Sequence, residues 1–124
     1  MVELAKNKKR PNYTSKTLQH FRGMGFPVDK VEQWIPRAKK RRDLFGIIDI
    51  IVLTPSGVLG IQSTGPSGYS SHLKEMTGNK SSACVDWLLT PGTKLQLWAW
   101  RKVKEGRREI WRPKVKYFSM DDFI

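Results

Sequence analysis

A single carboxylate interrupts the most apolar stretch of the chain. Asp49 lies between two pairs of isoleucines in the segment 44–53 (LFGIIDIIVL). Burying an unpaired charge is expensive, and a buried carboxylate otherwise takes up a proton. We therefore expect Asp49 to face a polar cleft, a cation or a metal ion. The alternative is that Asp49 points outward from a half-exposed strand or pairs with a nearby arginine.

Gln62 and Thr64 are polar side chains that the next strand can bring to Asp49. The turn sequence TPSG predicts a hairpin between the apolar stretch and a strand over 58–64 (VLGIQST). With a two-residue turn, Asp49 faces Gln62, and Thr64 lies two residues on, on the same face. A glycine bulge in the turn would instead place Ser63 opposite Asp49. The sequence leaves this register open.

The elements that position these residues alternate between helices and strands. Thr14 or Ser15 is expected to cap the first helix. The predicted elements are a helix at 14–22, strands at 26–35, 44–53 and 58–64, a helix at 72–89 interrupted near Gly78, and a hairpin of 95–101 with 109–118. The order helix-strand-strand-strand-helix-strand-strand predicts an α/β fold with a mixed central sheet flanked by helices. The basic run RAKKRR (37–42) is expected to be a loop or to lead into a strand.

This order and two short motifs resemble the core of the PD-(D/E)XK nuclease superfamily. GIID (46–49) takes the place of the GxxD motif, and QST (62–64) takes the place of (D/E)-x-K. The segments 43–50 and 57–62 are similar to small phage-type proteins of the VRR-NUC and Holliday-junction-resolvase-like groups. The resemblance covers roughly residues 14–118 and implies a restriction-endonuclease-like core.

The resemblance implies phosphodiester hydrolysis that depends on Mg²⁺ or Mn²⁺. Asp49, Gln62 and the Ser63 carbonyl would be the metal ligands. The sequence departs from the family at two positions, because Gln62 replaces a carboxylate and Thr64 replaces the lysine. Since some family members relocate that lysine, Lys74 is the candidate for the catalytic cation. The alternative for Lys74 is an ordinary exposed position at a helix N-terminus.

Two further acidic residues bear on the metal site. The family's ancillary glutamate comes from the first helix, which has none here, and Glu32 on the first strand could reach the same cleft. The alternative for Glu32 is a surface position that pairs with the basic loop. Asp43 precedes Asp49 by six residues, or roughly 20 Å along an extended strand. We therefore expect Asp43 to bind Arg41 or Arg42 instead of sharing a metal with Asp49.

The chain of 124 residues carries 23 lysines and arginines against 11 aspartates and glutamates, a net charge of +12. Such an excess indicates a phosphate-rich partner, most readily DNA, although a charged run can also be a solvated face. Residues 1–13 are predicted to be a basic flexible arm, and residues 14–124 a single nuclease-like domain. The predicted nucleic-acid contacts are Lys8, Lys9, Arg10, Arg37, Lys39, Lys40, Arg41, Arg42, Lys102, Arg107 and Arg108.

The five tryptophans have two interpretations. Trp98 and Trp100 share one face of a predicted strand, and we expect them to pack in the core, as we do Trp34 and Trp87. The alternative is that tryptophans of the last hairpin stack on unpaired bases.

Cys84 is the one cysteine, which excludes an internal disulfide and a multi-cysteine zinc site. The sequence shows neither an apolar leader nor a membrane-length apolar segment, so we expect a cytoplasmic protein without a membrane partner. The favoured function is a metal-dependent DNA endonuclease or resolvase-like enzyme, encoded by a phage or mobile element and compatible with a homodimer. One alternative is a catalytically inactive DNA- or RNA-binding protein on the same fold. Another is a small basic RNA-binding protein with an unrelated α/β fold.

Overall fold

A five-stranded mixed sheet with helices on both faces forms the centre of the computed structural model, which describes residues 12–124. The predicted contacts Lys8, Lys9 and Arg10, with nearly all of the predicted arm, lie outside the described residues. The elements are α1 (Tyr13–Gly23), β1 (Val28–Lys30), β2 (Gln33–Ile35), β3 (Lys40–Arg42), β4 (Ile50–Thr54), β5 (Gly57–Thr64), α2 (Tyr69–Thr77), α3 (Ser81–Leu89), β6 (Thr93–Glu105) and β7 (Arg108–Tyr117).

The main sheet has the order β1-β4-β5-β6-β7. Strands β5 and β6 are parallel, and the other neighbours are antiparallel. Strands β2 and β3 form a separate two-stranded ribbon. The parallel connection from β5 to β6 contains α2 and α3, as expected for a crossover between parallel strands. The coarse α/β prediction is therefore confirmed.

Alternate residues of β6 supply the two hydrophobic cores. Trp98 and Trp100 pack with Phe21 of α1 on one face of the sheet. Leu95 and Leu97 pack on the other face with residues of α2 and α3. This division follows from the two-residue repeat of a strand, and it makes the fold a three-layer arrangement of helix, sheet and helices.

The predicted first strand, 26–35, is in fact two strands that belong to different sheets. β1 pairs with β4 and ends at Lys30, and Val31 N then donates a hydrogen bond to Asp49 O at 2.9 Å. Beyond this point the chain leaves the main sheet, and β2 pairs with β3 instead. The basic run 37–42 therefore ends in a strand of the exposed ribbon.

The apolar stretch 44–53 is a continuous strand only in its second half. β4 begins at Ile50, and residues 44–48 form a tight loop closed by a bridge between Leu44 and Ile48. Phe45 and Gly46 have φ angles of 56° and 75° in this loop. The prediction of one long strand was wrong because the loop's isoleucines are as deeply buried as those of a strand.

Two smaller predictions concern the helices. Asn12, and not Thr14 or Ser15, caps α1, since its side chain accepts a hydrogen bond from Ser15 N at 2.9 Å. The predicted interruption near Gly78 is confirmed, because it separates α2 from α3. Among residues 12–124, no helix is long and apolar enough to cross a bilayer.

Candidate metal-binding site

The register of β4 and β5 brings Asp49 next to Gln62. Thr54 pairs with Gly57 and Ile50 pairs with Ile61, which is the register of a two-residue turn. One position beyond the last pair, Gln62 Nε2 donates a hydrogen bond to Asp49 Oδ2 at 3.3 Å. The predicted contact between these two side chains is therefore present.

The Asp49 carboxylate is buried and only half satisfied. Asp49 is only 4% exposed. Oδ2 accepts hydrogen bonds from Gln62 Nε2 and from Ser63 N, the latter at 3.2 Å. Oδ1 is buried and has no hydrogen-bond partner among residues 12–124. Since buried polar atoms nearly always have a partner, this oxygen is open to a bound cation or an ordered water molecule.

The electrostatics of the site disfavour a charged Asp49 in the absence of a cation. Burial raises the pKa of Asp49 from an ordinary 3.8 to about 8. The hydrogen bond from Ser63 N–H lowers this pKa, whereas the negative charges of Asp43 and Glu32 raise it further. A bound cation would oppose both the desolvation and the repulsion.

Glu32 and Asp43 complete a cluster of three carboxylates with Asp49. Each offers one oxygen, and these oxygens all lie within 4.8 Å of one another. Glu32 lies between β1 and β2, Asp43 follows β3, and Asp49 precedes β4. Glu32 lines the cavity with Asp49 and also pairs with Arg41 of the basic run, so the structure shows features of both interpretations of this residue.

The expectation for Asp43 was wrong. The loop 44–48 reverses the chain, and the bridge between Leu44 and Ile48 closes it. Asp43 and Asp49, on either side of this loop, therefore lie close together instead of roughly 20 Å apart along a strand. Within the described part of the chain, Asp43 forms no ion pair with Arg41 or Arg42. Asp43 is thus a candidate ligand that the sequence-based prediction had excluded.

An open cavity of about 550 Å³ gives access to these carboxylates. Its lining residues are Asn12, Tyr13, Thr14, Glu32, Arg41, Asp43, Asp49, Gln62 and Ser63. Arg41 Nη1 donates to Glu32 Oε1 at 3.1 Å, and Lys30 Nζ lies 3.4 Å from the same oxygen. The charge of Glu32 is therefore balanced by cations, whereas that of Asp49 is not.

The donor set suits a hard divalent cation. Carboxylate oxygens and an amide carbonyl are the ligands that Mg²⁺ and Mn²⁺ prefer. Gln62 retains one carbonyl oxygen for such an ion, because its Nε2 binds Asp49. Ser63 contacts Asp49 through its N–H, and its Oγ binds Tyr13 O and Thr17 Oγ1, which fastens β5 to α1. A ligand role for the Ser63 carbonyl stays a prediction.

Thr64 and Lys74 do not line this cavity. Thr64 lies where the chain turns toward Pro66–Gly68. Its Oγ1 packs so closely against Gly68 that a Cβ added to Gly68 would collide with this oxygen. Helix α2 begins at Tyr69, earlier than predicted, which places Lys74 in its last turn beside a separate groove. Of the predicted nucleic-acid contacts within residues 12–124, Arg41 is the one that lines the cavity.

The other described basic candidates are exposed at two places. Arg37, Lys39, Lys40 and Arg42 belong to the β2–β3 ribbon and its turn, and Lys102, Arg107 and Arg108 lie toward the far end of the β6–β7 hairpin. The two places extend the positive charge well beyond the carboxylate cavity.

Four of the tryptophans are at least partly buried, and one is not. Trp98 and Trp100 are buried as predicted, and Trp100 Nε1 donates to Thr17 Oγ1 at 2.8 Å. Trp34 is 55% exposed on the ribbon, so the prediction that it packs in the core was wrong. Its strand leaves the main sheet, and the indole has no core to join.

No family model, curated protein or solved structure matched this chain in the three comparisons. The fold and the site define an α/β protein with a cluster of three carboxylates beside a basic ribbon. One of these carboxylates is buried and has a hydrogen-bond partner, among the described residues, for only one of its two oxygens.

Proposed function

We propose that the protein is a metal-dependent phosphodiester hydrolase that acts on nucleic acid, in the first place DNA, through a variant of the PD-(D/E)XK site. The observation that carries this proposal is the buried Oδ1 of Asp49, which has no partner among residues 12–124 and belongs to a cavity lined by two further carboxylates. The net charge of +12 favours a polyanionic substrate.

Asp49, Asp43, Glu32 and Gln62 would hold Mg²⁺ or Mn²⁺. When bound, the ion would lower the pKa of a water molecule and stabilise charge on the phosphate oxygens. Asp43 and Glu32 supply the negative charge that Gln62 lacks in the second motif. Ser63 N–H and Gln62 Nε2 orient the Asp49 carboxylate by binding Oδ2. The chain thus offers three carboxylates and one amide to a metal ion without the family's second acidic residue.

Arg41 supplies the positive charge that Thr64 cannot. Its guanidinium lies at the cavity and binds Glu32, a residue that a metal ion would engage. An arginine presents several N–H donors in a geometry that matches phosphate oxygens. Arg41 therefore replaces the missing lysine in our proposal as the group that binds the phosphate.

A second candidate function is nucleic-acid binding without cleavage on the same fold. The observation that favours it is the position of Thr64 and Lys74 outside the cavity, since no lysine is present among its described lining residues. The exposed cations of the basic ribbon, and Lys102, Arg107 and Arg108 at the far end of the β6–β7 hairpin, would bind phosphates in either case.

A cleavage assay on a panel of DNA and RNA structures tests the proposal. Wild type, Asp49→Asn and the control Asp86→Asn, an exposed carboxylate on α3, are compared with Mg²⁺, Mn²⁺ and EDTA. We expect metal-dependent cleavage by wild type and Asp86→Asn, and its loss in Asp49→Asn. Cleavage that survives in Asp49→Asn would contradict the proposal. Tight binding without cleavage under any metal would favour the second candidate.

A further inference from the structure

Trp34 is an exposed indole that the fold does not need for its core. The residue is 55% exposed, whereas Trp98 and Trp100 are buried between the sheet and α1. Trp87 is partly buried and donates its Nε1 hydrogen to Lys94 O at 2.8 Å. Its position on the ribbon leaves the face of a large aromatic ring accessible to a ligand.

The ribbon register places Trp34 beside the carboxylate cavity. Trp34 pairs directly with Arg41, so the two side chains project from the same face of the ribbon. Arg41 in turn lines the cavity and binds Glu32 at 3.1 Å. Trp34 also follows Glu32 by two residues, which limits their backbone separation to roughly 7 Å. The backbone of Trp34 therefore lies close to that of a candidate metal ligand, on the ribbon face that carries Arg41.

The charge around Trp34 selects the kind of partner. Five of the six residues 37–42 are basic, and all are exposed. An aromatic ring among exposed cations is the arrangement that binds single-stranded nucleic acid, because cations contact the phosphates and the ring stacks on a base. A continuous duplex cannot use the ring in this way, since each base face is already covered by its neighbours.

We propose that Trp34 stacks on an unpaired base of the strand whose phosphate Arg41 binds at the carboxylate cavity. This inference rests on the proposed function and narrows its substrate to single-stranded nucleic acid, or to flaps, loops and ends with unpaired nucleotides. Arg41 then contacts the phosphate, while Trp34 holds the adjoining base on the same ribbon face.

Fluorescence anisotropy of a labelled single-stranded oligonucleotide tests this inference in EDTA, where cleavage does not contribute. The full chain, Trp34→Ala and Trp34→Phe are compared on the single strand and on the blunt duplex of the same sequence. We expect Trp34→Ala to weaken single-strand binding by about 5- to 150-fold, the effect of losing one stacked base. Trp34→Phe should retain most of the affinity, and duplex binding should change less than about twofold in either variant.

Tyr117→Ala is the matched control, since Tyr117 is a 68% exposed aromatic residue on β7, outside the ribbon. It should bind the single strand as wild type does. The inference is overturned if Trp34→Ala binds like wild type, if Trp34→Phe is as weak as Trp34→Ala, or if wild type prefers the duplex. These outcomes are separate from the proposed hydrolysis, which fails if wild type cleaves nothing with Mg²⁺ or Mn²⁺ or if cleavage survives in Asp49→Asn.

Discussion

Gln62 of β5 donates a hydrogen bond from Nε2 to Oδ2 of Asp49, the residue that precedes the neighbouring strand β4. This contact satisfies one carboxylate oxygen and leaves the other to a ligand. An acidic residue at position 62 would add a fourth carboxylate to the cluster. The amide therefore reduces repulsion in the metal-free protein, while Asp43 remains beside Asp49 as a further carboxylate of the cluster.

Gln62→Glu should destabilise the metal-free protein and strengthen its binding of Mn²⁺. The new carboxylate would be buried beside Asp49 and would replace a hydrogen-bond donor with a like charge. We expect the free energy of unfolding in EDTA to fall by about 1–3 kcal/mol. Urea denaturation with and without Mn²⁺ measures both effects. The control Gln19→Glu, at an exposed position, should change neither the stability nor Mn²⁺ binding. A Gln62→Glu protein that is more stable than wild type in EDTA would contradict the proposed metal site.

The metal-free protein should lose stability as the pH rises. Because the pKa of Asp49 is raised in the folded state to about 8, from an ordinary 3.8, the folded protein holds this proton more tightly than the unfolded chain. The contribution of protonated Asp49 to the free energy of unfolding is complete below about pH 4 and is lost progressively up to about pH 8. The difference between the two pKa values corresponds to about 6 kcal/mol at most.

Denaturation in EDTA across this pH range measures the effect. Asp49→Asn should remove this part of the pH dependence, and saturating Mn²⁺ should reverse it in wild type by binding the ionised carboxylate. Equal slopes for wild type and Asp49→Asn in EDTA would show that Asp49 ionises in the folded protein as readily as in the unfolded chain.

The sequence predicts the centre of the site well and its surroundings less well. The turn TPSG and the strand after it predict a two-residue hairpin, which is why the contact between Asp49 and Gln62 could be foreseen as one of two registers. Burial of the Asp49 carboxylate was the favoured one of two interpretations of its flanking isoleucines, and the structure has it buried. Both are local features, decided by residues close together in the chain.

Asp43 and Trp34 could not be placed in the same way. Hydrophobicity does not distinguish a buried loop from a buried strand, so the turn at Phe45 and Gly46 was missed and Asp43 was placed far from Asp49. The exit of the chain from the sheet after Lys30 depends on pairing between distant segments. The one local signal was Gly46, a residue typical of positive φ.

Gly46→Ala should weaken the site through the backbone. Gly46 has φ of 75°, and although nothing lies within 4 Å of an added Cβ, a side chain disfavours this conformation. We expect a loss of about 1–2 kcal/mol in unfolding free energy and weaker Mn²⁺ binding, because the loop sets the distance from Asp43 to Asp49. Gly23→Ala is the matched control, since Gly23 also has open space but lies in α1 without a positive φ. Equal effects of the two substitutions would show that the conformation of the loop does not control Mn²⁺ binding.

Arg41→Ala should separate metal binding from phosphate binding. In the metal-free protein Arg41 donates a hydrogen bond to Glu32, so removal of the guanidinium should leave Mn²⁺ affinity unchanged or raise it. Cleavage should nevertheless fall on the order of 100-fold, as it does when one donor to a reacting oxyanion is removed. Titration of Mn²⁺ without nucleic acid and a single-turnover cleavage assay give the two readouts.

Arg112→Ala is the control for Arg41→Ala, because Arg112 also forms an exposed ion pair, with Glu105 on the β6–β7 hairpin. It should leave both Mn²⁺ affinity and the cleavage step at wild-type values. If Arg41→Ala weakened Mn²⁺ binding and cleavage by the same factor, Arg41 would act only by holding Glu32 in place. A fall in cleavage alone would instead assign the guanidinium to the phosphate, because its partner Glu32 would still bind the ion.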